Sequence, residues 1–141
     1  MPLDGGPPQT VSDELMVPGF DISPDGKTVA LISFHHAEAH REKLVLIAID
    51  SGQVVKALDL DRPRNGSVRF TRDGKAAVYP ILTGAADNLW LQPLDGSPGK
   101  QITDFKAERI YDFHWSLDGK QLALSRGHTD SDVVLIRDAP P

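Results

Sequence analysis

Phe20-Asp21-Ile22-Ser23-Pro24-Asp25-Gly26-Lys27-Thr28-Val29-Ala30-Leu31 sets alternating apolar and polar residues on both sides of an Asp-Gly pair. Alternation flanking Asp-Gly is the strongest short-range signal of a β-hairpin, because that pair is expected to accept the positive φ a tight turn needs. The same unit recurs. Asp-Gly-Lys appears at 25–27, 73–75 and 118–120, at spacings of 48 and 45 residues. Phe20 and Ile22, Val68 and Phe70, and Phe113 and Trp115 precede the three turns at matching positions. Val29 and Leu31, Ala77 and Tyr79, and Leu122 and Leu124 follow them.

Each hairpin is followed by a third expected strand, at 43–49, 88–94 and 132–136. A fourth follows a second turn in the first two units. It spans 54–60 after Ser51-Gly52 and 100–103 after Asp95-Gly96. The third unit ends without one. The N-terminus offers the missing piece, since Pro2-Leu3-Asp4-Gly5 resembles Pro93-Leu94-Asp95-Gly96, and the match continues at a constant offset of 91 into 9–13. The expected organisation is one module over 1–141. Within it, 1–16 carries an orphan outer strand, 17–61 and 67–105 are complete units, and 110–138 lacks its own outer strand.

Periods in the forties built from short strands point to β-propeller blades of four antiparallel strands. No segment keeps a 3.6-residue apolar period, so helical solenoids are excluded. A β-sandwich is the alternative, because short strands with turn signals also fit it. Three blades do not close a ring, which takes roughly four to eight. The expected fold is therefore all-β, with three blades per chain forming half of a six-bladed propeller. The expected partner is a second copy in a homodimer, with the orphan strand exchanged between chains. A piece of a longer propeller is the other reading of the same pattern.

The stretches F-D-I-S-P-D-G-K-T-V-A-L (20–31), D-N-L-W-L-Q-P-L-D-G (87–96), Q-I-T-D-F (101–105) and F-H-W-S-L-D-G-K-Q-L-A-L-S-R-G (113–127) resemble TolB-type, WD-repeat-like propeller repeats. The last three are similar to the C-terminal propeller of bacterial serine/threonine kinases. The resemblance covers nearly the whole chain. It implies a six-bladed sensor or scaffold domain, of which this chain would be the last half. Arg72 and Leu117 stand where that pattern has the proline of the turn. No Gly-rich loop with a strand lysine, no H-R-D and no D-F-G occurs, so no kinase motif is present.

Composition narrows the function. The chain has 20 acidic and 15 basic residues and a formal net charge of −5. An acidic chain without a basic run is a poor candidate for nucleic acid or an anionic membrane surface. There is no cysteine, which excludes disulfides and thiolate metal sites. No apolar run approaches the roughly 20 residues that span a bilayer. The segment 1–10 is rich in Pro and Gly, unlike a signal peptide. Compartment is not legible.

Two loop sets of a propeller meet at one face, and there the expected binding residues are Glu14, Arg62, Arg64, Asn65, Asp87, Glu108, Arg109 and His128. Such a mixture of charges suits a protein or peptide partner. His36 and His40, with His35 and Glu38 beside them, have a spacing that suits two metal ligands, though without the helix or the H-E-x-x-H order of a zinc site. Asp25, Asp73 and Asp118 are read as turn caps, since the acidic neighbours of a calcium loop are absent. No G-x-S-x-G elbow accompanies the serines. The expected function is a non-catalytic interaction, sensor or scaffold module without a cofactor. A metal-dependent enzyme assembled at the axis and a purely architectural fragment are the alternatives.

Overall fold

The computed structural model describes residue 10 and residues 16–34, 42–60, 63–64 and 67–132. These form an all-β structure of ten strands in antiparallel sheets, with no helix among the described residues. The first sheet is β1 (Met16–Ile22), β2 (Thr28–Phe34), β3 (Glu42–Ala48) and β4 (Val54–Asp59), in that order. The second is β5 (Arg69–Phe70), β6 (Ala76–Thr83), β7 (Ala86–Pro93) and β8 (Lys100–Gln101). The third pairs β9 (Arg109–Trp115) with β10 (Leu122–Gly127). The expected strands at 9–13 and 132–136 fall outside the described residues, save for residue 10 of the former and residue 132 of the latter.

The three Asp-Gly-Lys turns are built identically. Ser23, Thr71 or Ser116 opens each turn, and its carbonyl accepts from the N–H of Gly26, Gly74 or Gly119 at 2.8 Å. Its hydroxyl donates to the aspartate carboxylate at 2.6–2.7 Å and accepts a backbone N–H at 2.9–3.0 Å. The same carboxylate accepts the N–H of Lys27, Lys75 or Lys120 at 3.0–3.1 Å. The hydroxyl and that N–H hold each aspartate below its usual pKa. Only the glycines take positive φ, at 72°, 67° and 69°. The aspartate is the side-chain cap expected of it, and the residue before it is free to be Pro24, Arg72 or Leu117.

β8 is shorter than expected because side chains replace its ladder. The Thr103 hydroxyl accepts the N–H of Leu89 at 2.8 Å and donates to the Asn88 amide oxygen at 2.9 Å. Asn88, fully buried, then binds both the N–H and the carbonyl of Phe105. The chain beyond Gln101 therefore stays fastened to β7 without strand geometry.

Sheet packing follows from alternation. In the first sheet, Ala30, Ile32, Leu44 and Leu46 point toward the second, where they meet Val68, Phe70, Ala77 and Tyr79. The opposite face of the second sheet, with Val78 and Leu89, meets Ile110 and Phe113 of the third, flanked by Trp115, Leu122 and Leu124. Both junctions are sealed by a side chain from one sheet binding the first strand of the next. Asp21 Oδ2 accepts the Phe70 N–H at 2.8 Å, and Arg69 Nη2 donates to Asp112 Oδ1 at 3.0 Å. Asp21, Arg69 and His114 hold equivalent positions in the three units, each two residues before the turn-opening Ser or Thr. Thus the same packing operation occurs twice.

Candidate functional site

The two ends of the sheets differ in chemistry. The Asp-Gly-Lys end carries clefts of about 270 Å³ between the first and second turns and about 700 Å³ between the second and third. The carboxylates that line them, Asp25, Asp73, Asp95 and Asp118, are already committed to their own turns. Gly119 packs there so that an added methyl would sit 3.1 Å from the Arg72 side chain, whereas Gly26 opens on empty space.

At the opposite end a cleft of about 420 Å³ is lined by Ala85, Glu108, Arg109, Gly127, His128, Thr129 and Ser131. Three chain segments build it. The β6–β7 hairpin brings Ala85, the entry to β9 brings Glu108 and Arg109, and the exit of β10 brings residues 127–131. It unites three of the residues expected on the binding face: Glu108, Arg109 and His128.

Glu108 has φ 73°, the one positive value outside glycine among the described residues. Such a conformation is strained for a residue with a side chain and persists only where its surroundings over-determine it. Here the Glu108 carbonyl accepts the Asp87 N–H at 2.9 Å. Arg126 reaches the Ala107 carbonyl at 2.9 Å and the Glu108 carboxylate at 3.4 Å, and its guanidinium lies over the Phe105 ring, 3.5 Å from the centroid. The clamp tips the Glu108 carboxylate to the cleft while Arg109, exposed, makes no ion pair among the described residues. His128 stands 3.4 Å from Asp130.

No protein-family model and no curated protein matches this chain.

The remaining expected residues divide. Asp87 is 2% exposed, so it lies behind the cleft and not on it. Its Oδ1 accepts from Arg64 Nε at 3.1 Å and its Oδ2 from the Ile110 N–H at 3.0 Å, which pins β7 to β9. Arg64, a third exposed, is itself fixed by its N–H to the Pro80 carbonyl. Glu14, Arg62, Asn65, His36 and His40 lie outside the described residues. Among the described residues no group of three or more His, Asp or Glu is placed to hold a metal ion. Tyr111 lies within β9, and its phenol is 3.0 Å from the Thr129 hydroxyl.

Sequence reading missed Arg126, Asn88 and the Arg69–Asp112–His114 cluster. Asp112 accepts from Arg69 at 3.0 Å and stands 3.2 Å from His114 Nε2. The one signal for Asn88 was a polar pair, Asp87-Asn88, placed against a wholly apolar continuation, Leu89-Trp90-Leu91. The cleft offers a cation with no ion pair among the described residues, a clamped carboxylate, an imidazole and hydroxyls, which suit hydrogen bonding and charge pairing with a polar chain.

Proposed function

We propose that the chain is half of a six-bladed, TolB-like propeller that acts as a non-catalytic protein-interaction or scaffold module. Each sheet is one blade, and the ring is closed by a second copy. The reading is carried by one observation, the twofold repetition of a single sheet-to-sheet junction. The second sheet stands to the third as the first stands to the second, down to the equivalent positions Asp21 and Arg69. A sandwich would pack two sheets face to face and stop, whereas a repeated junction continues until it closes.

In this reading the rigid blades present the cleft rim of Glu108, Arg109 and His128 to a protein or peptide. Two measurements test it. Light scattering on a sizing column should give twice the chain mass of 15.4 kDa, and a folded monomer at every concentration would defeat the ring. Peptides selected on the protein from a displayed library should lose about tenfold or more in affinity to Arg109→Glu, the size of a charge-paired contact at a rim turned repulsive. Selected binders indifferent to Arg109→Glu would remove the cleft from the proposal.

A further inference from the structure

Glu108 and Arg109 are neighbours in the chain, and as a bare sequence their charges cancel. The fold separates them. The positive φ of Glu108 accompanies a carbonyl that accepts the Asp87 N–H at 2.9 Å and a carboxylate 3.4 Å from Arg126 Nη2. Arg126 is itself held by the Phe105 ring and the Ala107 carbonyl, so the Glu108 charge is matched from within the fold. Arg109 has no ion pair among the described residues. Its partner across the β9–β10 ladder is Gly127, which sets no side chain opposite the guanidinium. A Cβ at Gly127 would meet only Tyr111 Cε2, at 3.5 Å, and its backbone has no positive φ. The cation therefore stands in a cleft between the β6–β7 hairpin and one end of the third sheet, inside the series of sheets and on neither outer face.

We infer that this cleft takes an acidic side chain, Asp or Glu, of a bound peptide, with the carboxylate seated on Arg109. The inference rests on the interaction-module reading above and names the group recognised. A guanidinium is a planar fork whose N–H bonds match the two oxygens of a carboxylate. A phosphate fits the same fork but carries about −1.5 to −2 at neutral pH. Its second charge would face the Glu108 carboxylate and Asp130, whose side chain is 91% exposed beside His128. A single carboxylate balances Arg109 and leaves Glu108 with Arg126 and Asp130 with His128.

The cleft, at about 420 Å³, is larger than one side chain, so the peptide backbone beside the acidic residue reaches the hydroxyls of Thr129 and Ser131. Thr129 is tied to the Tyr111 phenol at 3.0 Å, which fixes that wall. The formal net charge of −5 opposes an acidic ligand at long range. At 0.15 M salt that field fades over about 8 Å, so the contact at Arg109 decides.

The test uses the whole chain as bait for a displayed library of short random peptides, with affinities read by calorimetry at about 0.15 M salt. Selected peptides should carry an Asp or Glu whose change to Asn or Gln weakens binding about fivefold, the upper end for an exposed ion pair. On Arg109→Gln the same change should cost nothing. Gly127→Leu, which narrows the cleft opposite Arg109, should remove binding without lowering the unfolding midpoint. An acidic residue that matters equally on the native chain and on Arg109→Gln would place the carboxylate elsewhere and overturn the inference. Peptides that depend on Arg109 but carry no acidic residue, or that lose binding only on amidation of the C-terminus, would overturn it while leaving the cleft as the binding site. A library that yields no binder, or binders indifferent to both Arg109→Gln and Gly127→Leu, would overturn cleft and inference together.

Discussion

Phe113→Ala lowers the unfolding free energy by about 4 kcal/mol, the cost of emptying a fully buried aromatic site. Phe113 is 1% exposed and lies between the second and third sheets, against Val78, Leu89 and Ile110. Its ring also sits 5.8 Å from the Arg69 guanidinium that seals this junction. Loss of the ring therefore removes apolar contact and loosens the polar fastener beside it. The close-packed strands on both sides have little freedom to collapse into the void. Leu117→Ala is the control. Leu117 is 98% exposed at the tip of the third turn, and its loss stays within about 0.5 kcal/mol. Urea unfolding of both variants gives the comparison. A Phe113→Ala midpoint close to that of Leu117→Ala would show that the second and third sheets are not packed as described.

Asp87→Ala has the next largest effect, about 3 kcal/mol. The substitution removes the buried carboxylate that accepts the Ile110 N–H and strips Arg64 of its counter-ion. Asp87→Asn is milder, because one amide oxygen still accepts a hydrogen bond but the charge is gone. The local signature separates this mechanism from general loosening. Amide exchange at Ile110 should accelerate in Asp87→Ala far more than at Ala30 or Leu44, which lie across the other junction. Uniform acceleration through all three sheets would refute the assignment of Asp87 as a pin between β7 and β9.

How much of this was legible follows from the range of each interaction. The turns and the strands that flank them were readable because their rules are local: two-residue alternation, a serine or threonine two places before an aspartate, and a glycine after it. The inter-sheet fasteners were not. Asp21, between Phe20 and Ile22, reads as the solvent-facing member of an alternating strand, yet its acceptor role is fixed by Phe70, some fifty residues on. Asp87 was readable as a member of the right end of the fold but not as a buried one, since its two donors come from the connection at Arg64 and from β9. Of the candidate cleft, Glu108, Arg109 and His128 were found because they fall in connections at one end of the repeats. The clamp of Arg126 on Phe105 and Glu108 joins β10 to the connection between β8 and β9 and leaves no short-range mark.

The three identical turns also shape how the chain reaches this structure. Among the described residues every strand ladder closes over a short stretch of sequence, the most widely separated partners being Thr28 and Ala48. Local closure carries a small entropic toll, and hairpins form in about 1–10 μs. The junctions between sheets join more distant parts of the chain and depend on single side chains placed once per unit. Folding is therefore divided in time, with quick and nearly interchangeable hairpins followed by a slower docking step in which neighbours must be told apart. The turns cannot make that distinction, because they are the same three times over. The differing residues at 21, 69 and 114 can, so the position that varies most in charge is the one that keeps identical units in order.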